Sequence, residues 1–286
     1  MDIASIRQII QDSFISSLEQ VISSTPNFAA PLFLAYRELL ESWGLVNAFR
    51  TSLFRGNFIT ESQIIPCGVL ERSFYEILSN DLSRALSLIS LREAFPEATT
   101  QVKYAIETNQ QGPLFAMLRH PLDKCSEAIL LLPSNEREVS RKLLYLHGDL
   151  ANLFILYDCA TRRPDRKDCS SWLLKKTHIL PIGAYERLTH CSDLKQLTSF
   201  LQNTEFGRYL GDMLDSGPTE EFLERLKLNA LRNKSRFALA GYPFRSATIM
   251  AALNLLLIEI ANIMLCLTAV EGKISVENVS KFIVVP

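Results

Sequence analysis

The chain has 286 residues, 48% of them hydrophobic and 21% charged, with a formal net charge of −1 at pH 7. That length suits one to three domains and leaves room for a substantial buried core. The balance excludes a disordered tail and lacks the strongly basic footprint of a nucleic-acid binder.

Taken in chain order, apolar residues recur at helical spacing and strand alternation is nearly absent, which predicts an all-α fold. Residues 3–22 read as an amphipathic helix with Ile3, Ile6, Ile9, Ile10, Phe14 and Leu18 on one side. A long helix is predicted from about Ala29 to Phe54, stopping near Gly56. Thr60-Glu61-Ser62-Gln63 carries the N-cap and N3 Gln of a capping box, predicting a short helix before Pro66. Helices follow over 69–79 and 81–94, the second capped by Asn80 or Asp81. The stretch from Pro96 to Pro133 reads as less regular, with breaks at Gly112-Pro113 and Pro121.

A second long helix is predicted after Ser134, running to about Arg162 and a charged connector that ends at Lys167. Ser192-Asp193 caps a helix to about Leu201, and Thr204 begins a turn through Tyr209. Ser216 to Thr219 opens a helix ending near Ala240, and the last long helix spans about Phe244 to Val270. Ser275 starts a terminal turn. Within the last long helix, Ile249 to Val270 is apolar enough for a bilayer, yet Asn254, Glu259 and Asn262 lie inside it. A buried core helix is the expectation and a transmembrane span the alternative.

One pattern recurs three times: a long apolar helix carrying an asparagine, a break, then a segment ending in aliphatic-Pro. The first copy has Asn47, then Pro66 and Gly68; the second has Asp149 and Asn152, then Pro181 and Gly183; the third has Glu259 and Asn262, then Pro286. A period of roughly 105–110 residues exceeds the usual solenoid unit and suits three related helical subdomains. Their expected boundaries are 1–90, 91–190 and 191–286. An asparagine on a buried helix is expensive unless its amide finds partners. An acid three residues before it shares its face and places both to hold a neighbouring loop. Gly44 takes the acidic position in the first copy, so its polar link must differ. Gly68 and Gly183 are expected to permit tight reversals after their prolines.

The C-terminal part resembles the AC39-type stalk subunits of bacterial and archaeal V/A-type rotary ATPases, a family with relatives in the eukaryotic V-ATPase. The likeness rests on Ile179-Leu180-Pro181-Ile182-Gly183, on Leu194 to Leu210 with its Gln202-Asn203-Thr204-Glu205-Phe206-Gly207 segment, and on Leu257 to Asn262. It continues through Gly272-Lys273-Ile274-Ser275 to Val285-Pro286, and the internal repeats extend it more weakly over residues 35–182. The resemblance implies three helical-bundle subdomains around a pseudo-threefold axis, forming a funnel. It also implies a non-catalytic central-stalk subunit that couples the rotor shaft to the membrane rotor ring in proton or sodium transport. The implied partners are the shaft subunits and the ring, with no nucleic acid, no cofactor and only indirect membrane contact. The implied location is the cytoplasmic face of the inner membrane. An all-helical adaptor without a rotary partner is the alternative.

Other chemistry finds little support in the residues. Neither G-x-x-x-x-G-K-[ST] nor G-x-G-x-x-G occurs, so any link to ATP runs through partners. Cys159, Cys169, His178, His190 and Cys191 match no zinc-ligand spacing, and ordinary buried thiols and capping histidines are the simpler reading. A Cys191–His nucleophile is allowed by composition alone. The start of the sequence lacks a secretory pattern, so the six cysteines are expected to be reduced thiols. The basic run Arg162, Arg163, Arg166 and Lys167 is either a solvated connector or a contact patch for an acidic partner or lipid headgroups.

Overall fold

A computed structural model describes residues 2–54, 58–162, 166–191, 193–210, 219–241 and 245–285, without the side chains of Phe58, Arg166, Lys167 and Leu210. Every regular element among the described residues is a helix. In the first stretch, α1 (Ile3–Ser24) is capped by Asp2, whose Oδ1 accepts from the Ser5 N–H at 2.7 Å. Phe14 and Leu18 are buried, but Ile9 is 54% exposed, so the apolar stripe of α1 is narrower than the sequence pattern implied. Helix α2 (Ala30–Phe54) is buried on every side along its second half, from Leu39 to Arg50. Helix α3 (Phe58–Ser62) begins before Thr60, which lies inside it and is fully buried. The capping-box reading therefore misplaces this helix: it ends, rather than starts, at Thr60–Gln63. Helices α4 (Arg72–Asn80) and α5 (Leu82–Ile89) follow, the second capped by Asp81.

The stretch expected to be irregular is helical. Helix α6 (Ala98–Thr108) ends at Asn109 in the left-handed conformation. Pro113 opens α7 (Gly112–Ala116), and Pro121 sits in the first turn of α8 (Arg119–Ala128). Proline lacks only an N–H that a first turn leaves unpaired, so both prolines start helices rather than break them. A 3₁₀ turn over Ile129–Leu131 leads to α9 (Ser134–Arg162), whose central turns from Leu143 to Leu156 bury nearly every side chain. Next come α10 (Arg166–Trp172) and α11 (Ile182–Leu188).

In the last stretch, Asp193 caps α12 (Leu194–Gln202), and α13 (Gly207–Leu210) is a single turn. Thr219 caps α14 (Glu220–Leu239) through its Oγ1 and the Phe222 N–H. Helix α15 (Ser246–Glu271) is long and apolar enough to cross a bilayer, but 56% of its most apolar window is buried inside the fold. Ser275 caps α16 (Val276–Ser280).

One continuous apolar core runs from Phe14 to Val284. Each stretch touches both others: α2 packs on α7 and α8, α9 on α12, α14 and α15, and α15 on α1 and α3. Polar pins reinforce these contacts. Arg7 reaches Thr268 and Glu271 at 2.9 and 2.6 Å, and Glu136 accepts from the Ser246 N–H at 2.8 Å.

The expectation of six reduced thiols is corrected at one place. Cys159 on α9 and Cys169 on α10 form a disulfide with a Cα–Cα distance of 6.2 Å, ten residues apart. It ties the short helix to the long one across the basic connector. Cys169→Ser is expected to lower unfolding free energy by about 2–3 kcal/mol, the constraint due a loop of this length. Denaturant titration with and without a reductant measures it. An unchanged wild-type midpoint under reductant would contradict the bond.

Candidate functional site

The middle of α9 faces the backbone of the segment that follows α10. Fully buried Asp149 accepts from the N–H groups of His178, Ile179 and Leu180 at 2.7, 2.9 and 3.3 Å. It also accepts from the Tyr185 hydroxyl at 2.7 Å. One turn on, Asn152 binds Leu174 in both directions: its Nδ2 donates to the carbonyl at 2.9 Å and its Oδ1 accepts the N–H at 2.7 Å. A Cβ on Gly148 would stand 2.0 Å from the Lys176 carbonyl oxygen. The segment therefore lies directly on the helix backbone, and only glycine leaves room for it. Gly148→Ala is expected to cost about 3 kcal/mol or more, because the clash is with backbone that cannot rotate away. Urea denaturation reads this; a stability loss within error would show that the segment can move aside.

The first stretch builds the same arrangement with a different acid. Asn47 donates to the Gln63 carbonyl at 3.3 Å, and a Cβ on Gly44 would stand 3.0 Å from the Ile65 carbonyl oxygen. The carboxylate comes from Glu41, one turn before Gly44. It accepts from the Cys67 and Val69 N–H groups at 2.6 and 3.1 Å and from the Tyr75 hydroxyl. Burial pushes the Glu41 carboxyl up, against the Tyr75 hydroxyl and these backbone bonds, which favour its charged form. Glu41 was missed in the sequence, although a lone carboxylate in an apolar run followed by Tyr75 mirrors Asp149 followed by Tyr185.

Pro66 and Gly68 do form a reversal, with Gly68 at φ +83°. Pro181 and Gly183 do not. Pro181 is the N-cap of α11 and Gly183 lies within it, because residues 174–180 have already turned on the Asp149 and Asn152 anchors. In the third stretch, Asn262 binds Val284 in both directions at 2.7 and 3.1 Å, with the 22-residue separation of Asn152 and Leu174. Glu259, by contrast, is exposed between buried Ile258 and Ile260 and makes no bond to this segment among the described residues. Its pairing with Asn262 is an expectation the structure corrects: the helix turns that position to solvent. Pro286 lies outside the described residues.

Where the long helices converge, a buried polar chain joins them. The Trp43 Nε1–H donates to His147 Nδ1 at 3.0 Å. An indole nitrogen only donates, so the neutral imidazole carries its proton on Nε2 and offers it to the Tyr36 hydroxyl at 3.3 Å. The Tyr36 proton goes to Asn254 Oδ1, and Asn254 Nδ2 donates to Ser235 Oγ at 3.3 Å. This chain runs through α2, α9, α15 and α14. Burial, with the nearby Lys227 cation, pushes His147 down to about 3, so it stays neutral and serves as a connector, not a proton carrier near pH 7.

Beside it lies a buried ionic cluster. Arg50, 1% exposed, pairs with Glu220 and with Glu224 at 2.5 Å, donates to Asn47 Oδ1 at 3.0 Å and stacks 5.2 and 5.1 Å from the Phe115 and Phe154 rings. Lys227 pairs with Glu224 at 2.7 Å and lies 4.7 Å from the Trp43 ring. Burial would push the Glu224 carboxyl up, but Lys227 and Arg50 together hold it below the usual range. Charges thus balance, two against two, at the seam between α2 and α14.

The basic patch is only partly described. Arg162 pairs with Asp158 at 3.1 Å, donates to the Asn109 carbonyl at 2.7 Å and covers the Phe54 ring, so its cation is used inside the fold. Arg163 and the side chains of Arg166 and Lys167 lie outside the described residues. Asp158 also accepts from the Gly112 N–H at 2.8 Å, and burial pushes its carboxyl up to about 6. An open groove of about 710 Å³ lies alongside, lined by Arg119, Asp123, Ser170, Ser171, Lys175 and Lys176. Among the described residues no three His, Cys, Asp or Glu side chains are grouped to hold a metal. Cys159 and Cys169 are taken up by their disulfide, while Cys191 is a free, half-buried thiol.

A geometry of anchored helices without a reactive constellation fits a connecting part. A family model described as "ATP synthase (C/AC39) subunit" matches residues 3–282. The chain belongs to the ATP synthase C/AC39 subunit family. Comparison with curated proteins finds no match. Membership makes this protein one of the subunits of a V/A-type ATPase and agrees with the all-α architecture. Within this C/AC39 fold, the Glu41, Asp149 and asparagine anchors are what hold the return segments on the long helices.

Proposed function

We propose that this chain is the non-catalytic coupling subunit of the central stalk, joining the rotor shaft to the membrane rotor ring during proton or sodium transport. The C/AC39 match across residues 3–282 carries this reading. The anchored architecture supports it: a torque-bearing part needs helices that cannot slide, and each long helix here is fastened at its middle by side-chain-to-backbone bonds. The mutual contact of all three stretches supports an arrangement of three subdomains, near 1–90, 91–190 and 191–286, about a pseudo-threefold axis. Asn47, Asp149, Asn152 and Asn262 are then architectural positions. The segments over 60–68, 168–183 and 274–286 would form one rim that meets a partner. The chain sits on the cytoplasmic side, held at the membrane through the ring, with α15 as a core helix.

Membrane vesicles prepared with and without this chain test the role. Without it, ATP-driven ion uptake is expected to be lost while ATP hydrolysis persists. Undiminished uptake would favour a helical adaptor outside the rotary path.

A further inference from the structure

A small cavity of about 30 Å³ lies at the helix junction, and the residues around it include Trp43, Asn47, Gln63, His147 and Lys227. We propose that one buried water molecule occupies it, hydrogen-bonded to the Gln63 side-chain amide and the Lys227 ammonium. The volume is right for a single guest, since a cavity of at least about 10–15 Å³ on this measure holds one water. The polar lining is rich in donors. Gln63 is 7% exposed, and its Nε2 meets no acceptor among the described residues. Its position is fixed from behind, because Asn47 Nδ2 holds its backbone carbonyl. Lys227, 4% exposed, has three donors and directs one to Glu224. An unpaired buried amide is costly, and a bridging water relieves that cost.

Electrostatics choose water over a halide, the other small acceptor that such donors would take. Arg50 and Lys227 are already matched by Glu220 and Glu224. A bound anion would leave one buried negative charge without a partner. The water ties the segment after α3 to α14, so it pins the first stretch to the last at the point where α9 and α15 also meet.

Crystals of the full chain grown with bromide replacing chloride, measured at the bromine absorption edge, test this. The expected result is one solvent peak at about 2.7–3.2 Å from both Gln63 Nε2 and Lys227 Nζ, with no anomalous signal. A dry cavity, an anomalous peak, or a protein acceptor on Nε2 would overturn it. In folded Gln63→Leu the peak is expected to vanish; its persistence would remove the amide from the site.

Discussion

Glu224→Leu is expected to be among the most damaging single changes in this chain, costing about 3–5 kcal/mol. The side chain is fully buried and is the shared partner of Arg50 and Lys227. Removing it leaves two cations facing each other in an apolar seam, with only the half-exposed Glu220 to answer them. Nothing nearby can move to solvate them, because Arg50 is stacked against Phe115 and Phe154 and Lys227 against Trp43. Replacing the whole set with apolar residues (Arg50→Met, Glu224→Leu, Lys227→Met) is expected to recover most of that loss, since no charge is then stranded. Chemical denaturation of the two variants separates the cases. A triple variant no better than Glu224→Leu would show that packing, not stranded charge, sets the cost.

Asp149→Ala ranks with it, at about 3–5 kcal/mol, since three backbone N–H groups and the Tyr185 hydroxyl lose their acceptor together. Its pH dependence has a definite sign. Burial pushes the Asp149 carboxyl up to about 6, above the 3.8 of a free one, even though its four hydrogen bonds favour the charged form. The native state therefore holds a proton that the unfolded chain has released between those values. The stabilisation linked to that proton is fully present below about pH 4 and is lost as pH rises through 6. The cost of Asp149→Ala is thus expected to be about 1 kcal/mol larger at pH 5 than at pH 7. Equal costs at both values, or a larger one at pH 7, would contradict the raised carboxyl.

These two sites differ in how far the sequence announced them. Asp149 and Asn152 stood out because polar groups on a buried helix need partners, and the Asn recurs in each long helix. Glu41 escaped notice because its anchor is offset by one turn from the repeated spacing, so aligning on Asn47 put Gly44 in the acid's place. Arg50 and Glu224 are 174 residues apart, and no local pattern pairs them. The long helices were legible from continuous apolar runs, whereas α6 to α8 were obscured by prolines that in fact begin helices. Cys159 and Cys169 gave one usable signal, flanking the charged connector at a distance that one turn-back can close. Repetition made Pro181 and Gly183 resemble Pro66 and Gly68, although the two pairs sit at different points after their anchors.

Rotor coupling is tested most directly by affinity purification of this chain from detergent-solubilised membranes of its own source, with the bound proteins identified. The expected result is recovery of V/A-type catalytic, shaft and ring subunits in stable ratio. A clean monomer, free of shaft and ring, would contradict the coupling role and leave a C/AC39 fold serving as a helical adaptor.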